Sequence, residues 1–189
     1  MGVDVGRLNC PTEIVIIESS PARTTGVNDK KIVNIFTLSE SHFEYQAIKI
    51  KQLFNAFKCE AIVLDANGLG VGLLDYLITD QNDPETDELL PNMGIINLDD
   101  IPNEQDRKNY KSFENENTIK NAIWMMKANH VINSELYSYT QTQLRNGKLK
   151  FLIDSNTAKN KLLQQAQGKK MTSCAGVRID MVIRGICCL

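Results

Sequence analysis

Asp65 is the residue around which chemistry could be organised. Ala61-Ile62-Val63-Leu64 is a short apolar, β-branched run of the kind that forms a buried strand, and it ends on this acid. Asn67, Gly68, Gly70 and Gly72 then make a turn with little side-chain bulk, and Leu69, Leu73, Leu74 and Leu77 recur at helical spacing. The pattern is strand, acidic tip, glycine turn, helix. Ligands collect at the carboxyl ends of strands in open α/β sheets, so an acid there is well placed for chemistry. The glycines fit no nucleotide motif. A dinucleotide fingerprint needs its third glycine where Leu73 stands, and no Gly-Lys-Ser/Thr follows to complete a P-loop, so no nucleotide cofactor site is expected. The same carboxylate could instead cap the following helix by accepting its N–H groups.

A second acid strengthens the chemical reading. Asp4 lies in the apolar opening MGVDVGR, with Gly6 just after it to allow close approach. Asp4 on an opening strand and Asp65 on a strand after an intervening helix fit two acids brought side by side in one sheet. Carboxylates a few ångströms apart must share a proton or be neutralised by a cation. Oxygen-only ligands point to Mg²⁺ or Mn²⁺.

Four stretches together carry a resemblance: GVDVGR at 2–7, FEYQAIKIKQLF at 43–54, VLDANGLGVGLLDYL at 63–77 and KANHVINSELYSYTQTQLRNGKLKFLID at 127–154. They resemble the nuclease domain of the large terminase subunit of tailed bacteriophages, over residues 2 to 168. The resemblance implies a ribonuclease-H-like fold, a mixed five-stranded sheet flanked by helices. It also implies a two-metal endonuclease that cuts concatemeric double-stranded DNA during packaging, with Asp4 and Asp65 matching the first and second metal-binding acids. Two Mg²⁺ or Mn²⁺ ions would be held there, one activating water and the other stabilising the leaving 3′ oxygen. Partners implied are the terminase ATPase domain, the small terminase subunit and the portal. The implied location is the cytoplasm of an infected or lysogenic bacterial host cell.

Composition agrees with a soluble intracellular protein: 189 residues, 42% hydrophobic, with no apolar run near 18 residues and no signal peptide. Five cysteines without CxxC pairs, and only two histidines, predict neither a zinc site nor a disulfide framework. The net charge of −2 is unevenly spread. Nine acids and no Lys or Arg lie between Asp80 and Asp106, a stretch that reads as solvated loop around one strand, Met93 to Leu98. Arg145 to Lys170 holds seven Lys/Arg against Asp154 alone. Lys148, Lys150, Lys159 and Lys161 there are candidate DNA-phosphate contacts, or else simply a solvated face.

The elements that must position these residues follow from punctuation. Strands are expected at Gly2–Gly6, Glu13–Glu18 and Lys31–Leu38, then a helix from His42 to Phe57 with Ala47, Ile50, Leu53, Phe54 and Phe57 inward. After the Asp65 strand and its helix, Ile119–Lys127 is expected as strand, with Trp124 and its neighbouring methionines in the core. Val131–Leu144 reads as helix stopped by Asn146-Gly147, Lys148–Ile153 as strand, and 155–167 as helix. His42 and His130 are expected at the surface. Asp75 and Asp154 read as structural acids.

The nuclease-like domain is thus expected over 1–168, with 169–189 a separate C-terminal tail. That tail carries three cysteines and lacks the Lys-Asp motif that supplies the family's further metal-binding acid, and no packaging ATPase motif stands ahead. A nuclease-domain fragment is the expectation, with activity impaired unless Asp180, the tail's single acid, substitutes as a ligand. Two other functions fit the same residues. One is a nucleotide-binding module on a related sheet. The other is a folded, inactive terminase fragment that binds DNA or packaging partners.

Overall fold

The apolar and alternating runs near the start of the chain pair as strands: β1 (Gly2–Asp4), β2 (Thr12–Ser20) and β3 (Asp29–Leu38). Next come α1 (Phe43–Ala56), β4 (Ile62–Asp65), α2 (Leu69–Leu77), a small β5 (Gln81–Asn82) and β6 (Leu89–Leu90), and β7 (Met93–Ile95). The chain continues with α3 (Glu104–Ser112), β8 (Ile119–Met126), α4 (His130–Arg145) and β9 (Leu149–Phe151). This computed structural model describes residues 1–6, 10–21, 28–39, 42–127 and 129–151. The architecture is α/β, with a mixed seven-stranded sheet flanked by helices and a separate two-stranded β5–β6 ribbon. Seven strands replace the five expected. Two of them, β7 and β9, are three residues each and lie within Met93–Leu98 and Lys148–Ile153, segments expected as strands beyond what a five-stranded sheet accommodates.

The residues fall into two compact units. One comprises Met1–Asp4, Glu13–Thr37 and the described residues after Ala128. Its strands run in the order β1-β2-β3-β9, with β1 antiparallel to β2 and β9 parallel to β3. Val15, Ile17, Ile32 and Leu149 form its core, and Tyr139 and Leu144 of α4 pack on them. Gly147, at a φ of 65°, ends that helix where the sequence places its stop.

The other unit comprises Val5–Thr12 and Leu38–Lys127. Its sheet order is β7-β8-β4, parallel throughout, which accounts for the unbroken burial of Ile62, Val63 and Leu64. α1 packs on α2, with Ala47, Ile50 and Phe54 buried as their spacing predicts. Phe57 instead is exposed, one residue beyond the helix. Trp124 also departs from expectation: it is exposed, while Met125 beside it is buried.

The acidic stretch is more ordered than its composition suggests. Asp83 is buried and accepts from the Glu85 N–H, Thr86 Oγ1 and Gln52 Nε2 at 2.9, 2.9 and 2.6 Å, which fixes the β5–β6 turn. These bonds, the Glu85 N–H first, hold its carboxyl below the usual range. α3 has no buried residue, yet the Asn103 side chain caps it by accepting from Gln105 N at 2.9 Å, and a Glu104–Lys108 pair braces it.

Lys51 is 1% exposed, and its Nζ donates to the carbonyls of Thr79 and Leu90 at 2.6 and 3.4 Å. It joins the end of α2 to the ribbon. Burial lowers its pKa from 10.5 to about 8, with Asp80 opposing. The folded protein therefore gives up this proton at about pH 8, whereas the unfolded chain keeps it to 10.5. Between those values the unfolded state binds more protons, so stability should rise with pH. Urea midpoints at pH 7.5 and pH 10 should show the rise in the parent and a smaller one in Lys51→Met; equal rises would exclude Lys51 as the source.

Candidate functional site

Asp4 closes β1 and is 7% exposed. Its partner in the antiparallel register is Glu13, also 7% exposed. Residues directly opposite on such strands share a face, with Cβ atoms about 4.5–5.5 Å apart. Two buried carboxylates thus stand side by side. Thr37 Oγ1 donates to Glu13 Oε2 at 2.9 Å and fixes that side chain. Glu13 was legible only as the start of a strand, because pairing register, which makes it Asp4's neighbour, leaves no local mark in the sequence.

The segment after Asp4 is held by a buried polar network. The Gly6 N–H donates to Thr12 Oγ1 at 2.9 Å, Thr12 donates to Gln46 Oε1 at 2.8 Å, and Gln46 Nε2 returns a bond to the Gly6 carbonyl at 3.3 Å. A Cβ on Gly6 would lie 2.2 Å from the Cys10 carbonyl oxygen. What approaches Gly6 is the chain's own backbone.

Asp65 ends β4 and is half-buried. Its Oδ1 accepts from the Asn67 N–H at 3.1 Å, closing the turn, while the helix cap is Gly68, which offers no side chain. The carboxylate therefore shapes the turn and is not the side-chain cap of α2. A Cβ on Gly70 would lie 1.6 Å from the Asp65 carbonyl oxygen, so only glycine lets the first turn of α2 seat against the strand end.

Lys148 is paired with Asp29 at 2.9 Å, and that bond holds the Asp29 carboxyl below its usual range. Lys150 is exposed, and its register partner on β3 is Lys31. Lys159, Lys161, Asp154 and Asp180 lie outside the described residues. Asp75 lines an open groove of about 340 Å³ with Asp106 and Tyr110. Burial raises its pKa. Burial first, then the charges of Asp75 and Asp106, raises that of the Tyr110 phenol. His42 and His130 are exposed, as expected. Cys59 is a free thiol and Cys10 is disulfide-bonded.

Among the described residues no group of three or more His, Cys, Asp or Glu gathers as a metal cluster. No helix among them is long and apolar enough to cross a membrane. Comparison with family models, curated proteins and solved structures gives no match.

Proposed function

We propose that the chain is the nuclease part of a phage DNA-packaging terminase large subunit, a Mg²⁺- or Mn²⁺-dependent endonuclease on a ribonuclease-H-like sheet. The observation that carries this reading is the register pair of Asp4 and Glu13, both 7% exposed. Buried carboxylates at that spacing call for a cation or a shared proton. An all-oxygen donor set fits a hard divalent ion. Asp65 keeps the role the resemblance gives it, as the acid at the end of β4.

Bound there, divalent ions would activate the attacking water and stabilise the leaving 3′ oxygen. The protein's own contribution is placement. Burial holds Asp4 and Glu13 together, the Thr37 hydroxyl orients Glu13, and the Asn67 N–H orients Asp65. Lys150 supplies exposed charge for DNA phosphates. In this reading the partners are double-stranded DNA, the terminase ATPase domain, the small subunit and the portal, in the cytoplasm of a bacterial host.

Supercoiled plasmid is the test. Nicking should require Mn²⁺, stop with EDTA, and fall by about two orders of magnitude in Asp4→Asn or Asp65→Asn. Mn²⁺-dependent nicking that survives both substitutions would place the activity elsewhere.

A further inference from the structure

The groove beside α3 holds negative charge that the protein does not balance. Asp106 and Tyr110 stand one turn apart on α3 with Phe113 at its end, and they line the groove with Asp75 of α2, Asn109 and Ser112. All of these belong to one compact unit. α3 carries three cations, and each is engaged elsewhere. Arg107 donates to the Ile101 carbonyl, Lys108 pairs with Glu104 at 2.7 Å, and Lys111 pairs with Glu114 at 2.6 Å. Among the described residues no ion pair or hydrogen bond reaches the carboxylate of Asp75 or Asp106. Burial, then the charges of Asp75 and Asp106, raises the Tyr110 phenol pKa, so both acids act at that one group.

A second observation lies against the same rings. Tyr110 and Phe113 also line a narrow cavity of about 10 Å³, with room for about one water-sized group, and Asn92 lines it with them. Asn92 is 2% exposed. Its Nδ2 donates to the Phe113 carbonyl, but its Oδ1 has no hydrogen-bond partner among the described residues. A buried acceptor without a donor is costly, so it marks a place for one.

The occupant follows from what these walls lack. Their unpartnered side-chain acceptors are Asp75, Asp106 and Asn92 Oδ1, and no Lys or Arg lines either space. Such a lining calls for a cation that donates and does not accept. The groove, at about 340 Å³, is far larger than a bare ion, and among the described residues no third His, Cys, Asp or Glu joins the two acids as a metal cluster. An arginine guanidinium presents five N–H donors in one plane, bridges carboxylates and stacks on an aromatic face such as Tyr110. Its methylenes would cover Phe113, which is 45% exposed. The free amino acid is the poorer fit, because no cation in the groove meets its α-carboxylate. Within a polypeptide that group is a neutral amide.

We propose that this groove receives an arginine side chain presented by a partner polypeptide, its guanidinium held by the carboxylates of Asp75 and Asp106 against the Tyr110 ring. The site is separate from Asp4, Glu13 and Asp65, so the inference does not rest on the nuclease reading.

The probe is the peptide acetyl-Ala-Arg-Ala-amide, titrated into the isotope-labelled full chain and followed by NMR, beside its citrulline and lysine counterparts and free arginine. The arginine peptide should move the side-chain amides of Asn92 and Asn109 saturably. Citrulline keeps the shape without the charge and should bind at least about tenfold more weakly, and lysine and free arginine should also bind more weakly than the peptide. Asp75→Asn and Asp106→Asn should each weaken the peptide about 3- to 10-fold. Glu104→Gln removes the same charge from α3 outside the groove and should leave affinity within about twofold. A thermal melt of each variant establishes that it is folded. No saturable shift, equal binding of the citrulline or lysine peptide, or an equal loss in Glu104→Gln would each overturn the proposal. Free arginine that binds as tightly as the peptide would overturn it too, by making the groove a small-molecule site. No nicking is measured, so these outcomes are independent of the Mn²⁺ assay.

Discussion

Replacing Gly70 with alanine is expected to open the Asp65 turn and lower the melting temperature sharply. The added Cβ would sit 1.6 Å from the Asp65 carbonyl oxygen, a separation no non-bonded pair tolerates. The obstacle is backbone, so no rotamer change relieves it. Either α2 withdraws from the end of β4 or the strand end shifts. Overpacking of this kind costs about 3 kcal/mol or more. For a chain of this length that is a drop of about 10 °C. Val71→Ala, next in the helix but on its exposed side, is the control and should stay within about 0.5 kcal/mol of the parent. A Gly70→Ala protein that melts with the parent would mean that the strand-to-helix turn is more yielding than its packing implies.

Gly70 shows what the sequence could and could not convey. The strand, the glycine turn and the helix were legible because apolar runs and glycines are local signals. The object that Gly70 accommodates was not, since contact with the Asp65 carbonyl emerges only when the turn closes. Gly6 repeats the lesson: it was expected to allow close approach, and what approaches is the Cys10 carbonyl.

Buried polar residues were the larger blind spot. Thr12, Gln46 and Lys51 are all buried, although polar and charged side chains are ordinarily exposed. Their partners are distant in the chain: Gln46 bonds Gly6 and Thr12, and Lys51 bonds carbonyls of Thr79 and Leu90. No periodicity encodes such bonds. α3 escaped for the complementary reason, having no apolar face to generate a helical repeat. β8 was legible as a strand but its faces were not, because the irregularity at Asn121 breaks the alternation that would have set Trp124 outside.

Glu13 is the residue on which the metal reading can be decided, and Glu13→Gln is expected to separate two states of the Asp4 pair. Glutamine keeps the volume and an oxygen to accept from Thr37, so folding should survive. It removes one of two like charges directly opposite each other, and such charges destabilise a strand pair. The metal-free variant should therefore melt at or above the parent. If the pair holds a divalent ion, Mn²⁺ at 100 times its dissociation constant stabilises the parent by about 2.7 kcal/mol. That corresponds to about 5–10 °C here. Glu13→Gln should lose most of this shift, and Asp4→Asn likewise, because each leaves a single carboxylate against the cation. A pair that instead shares a proton predicts a different pattern. The parent would then ignore Mn²⁺, and Glu13→Gln would change the melting temperature little with or without the ion. Melting all three proteins with EDTA and with millimolar Mn²⁺ distinguishes the two, and a parent indifferent to Mn²⁺ would leave Asp4 and Glu13 as a structural pair with no metal to hold.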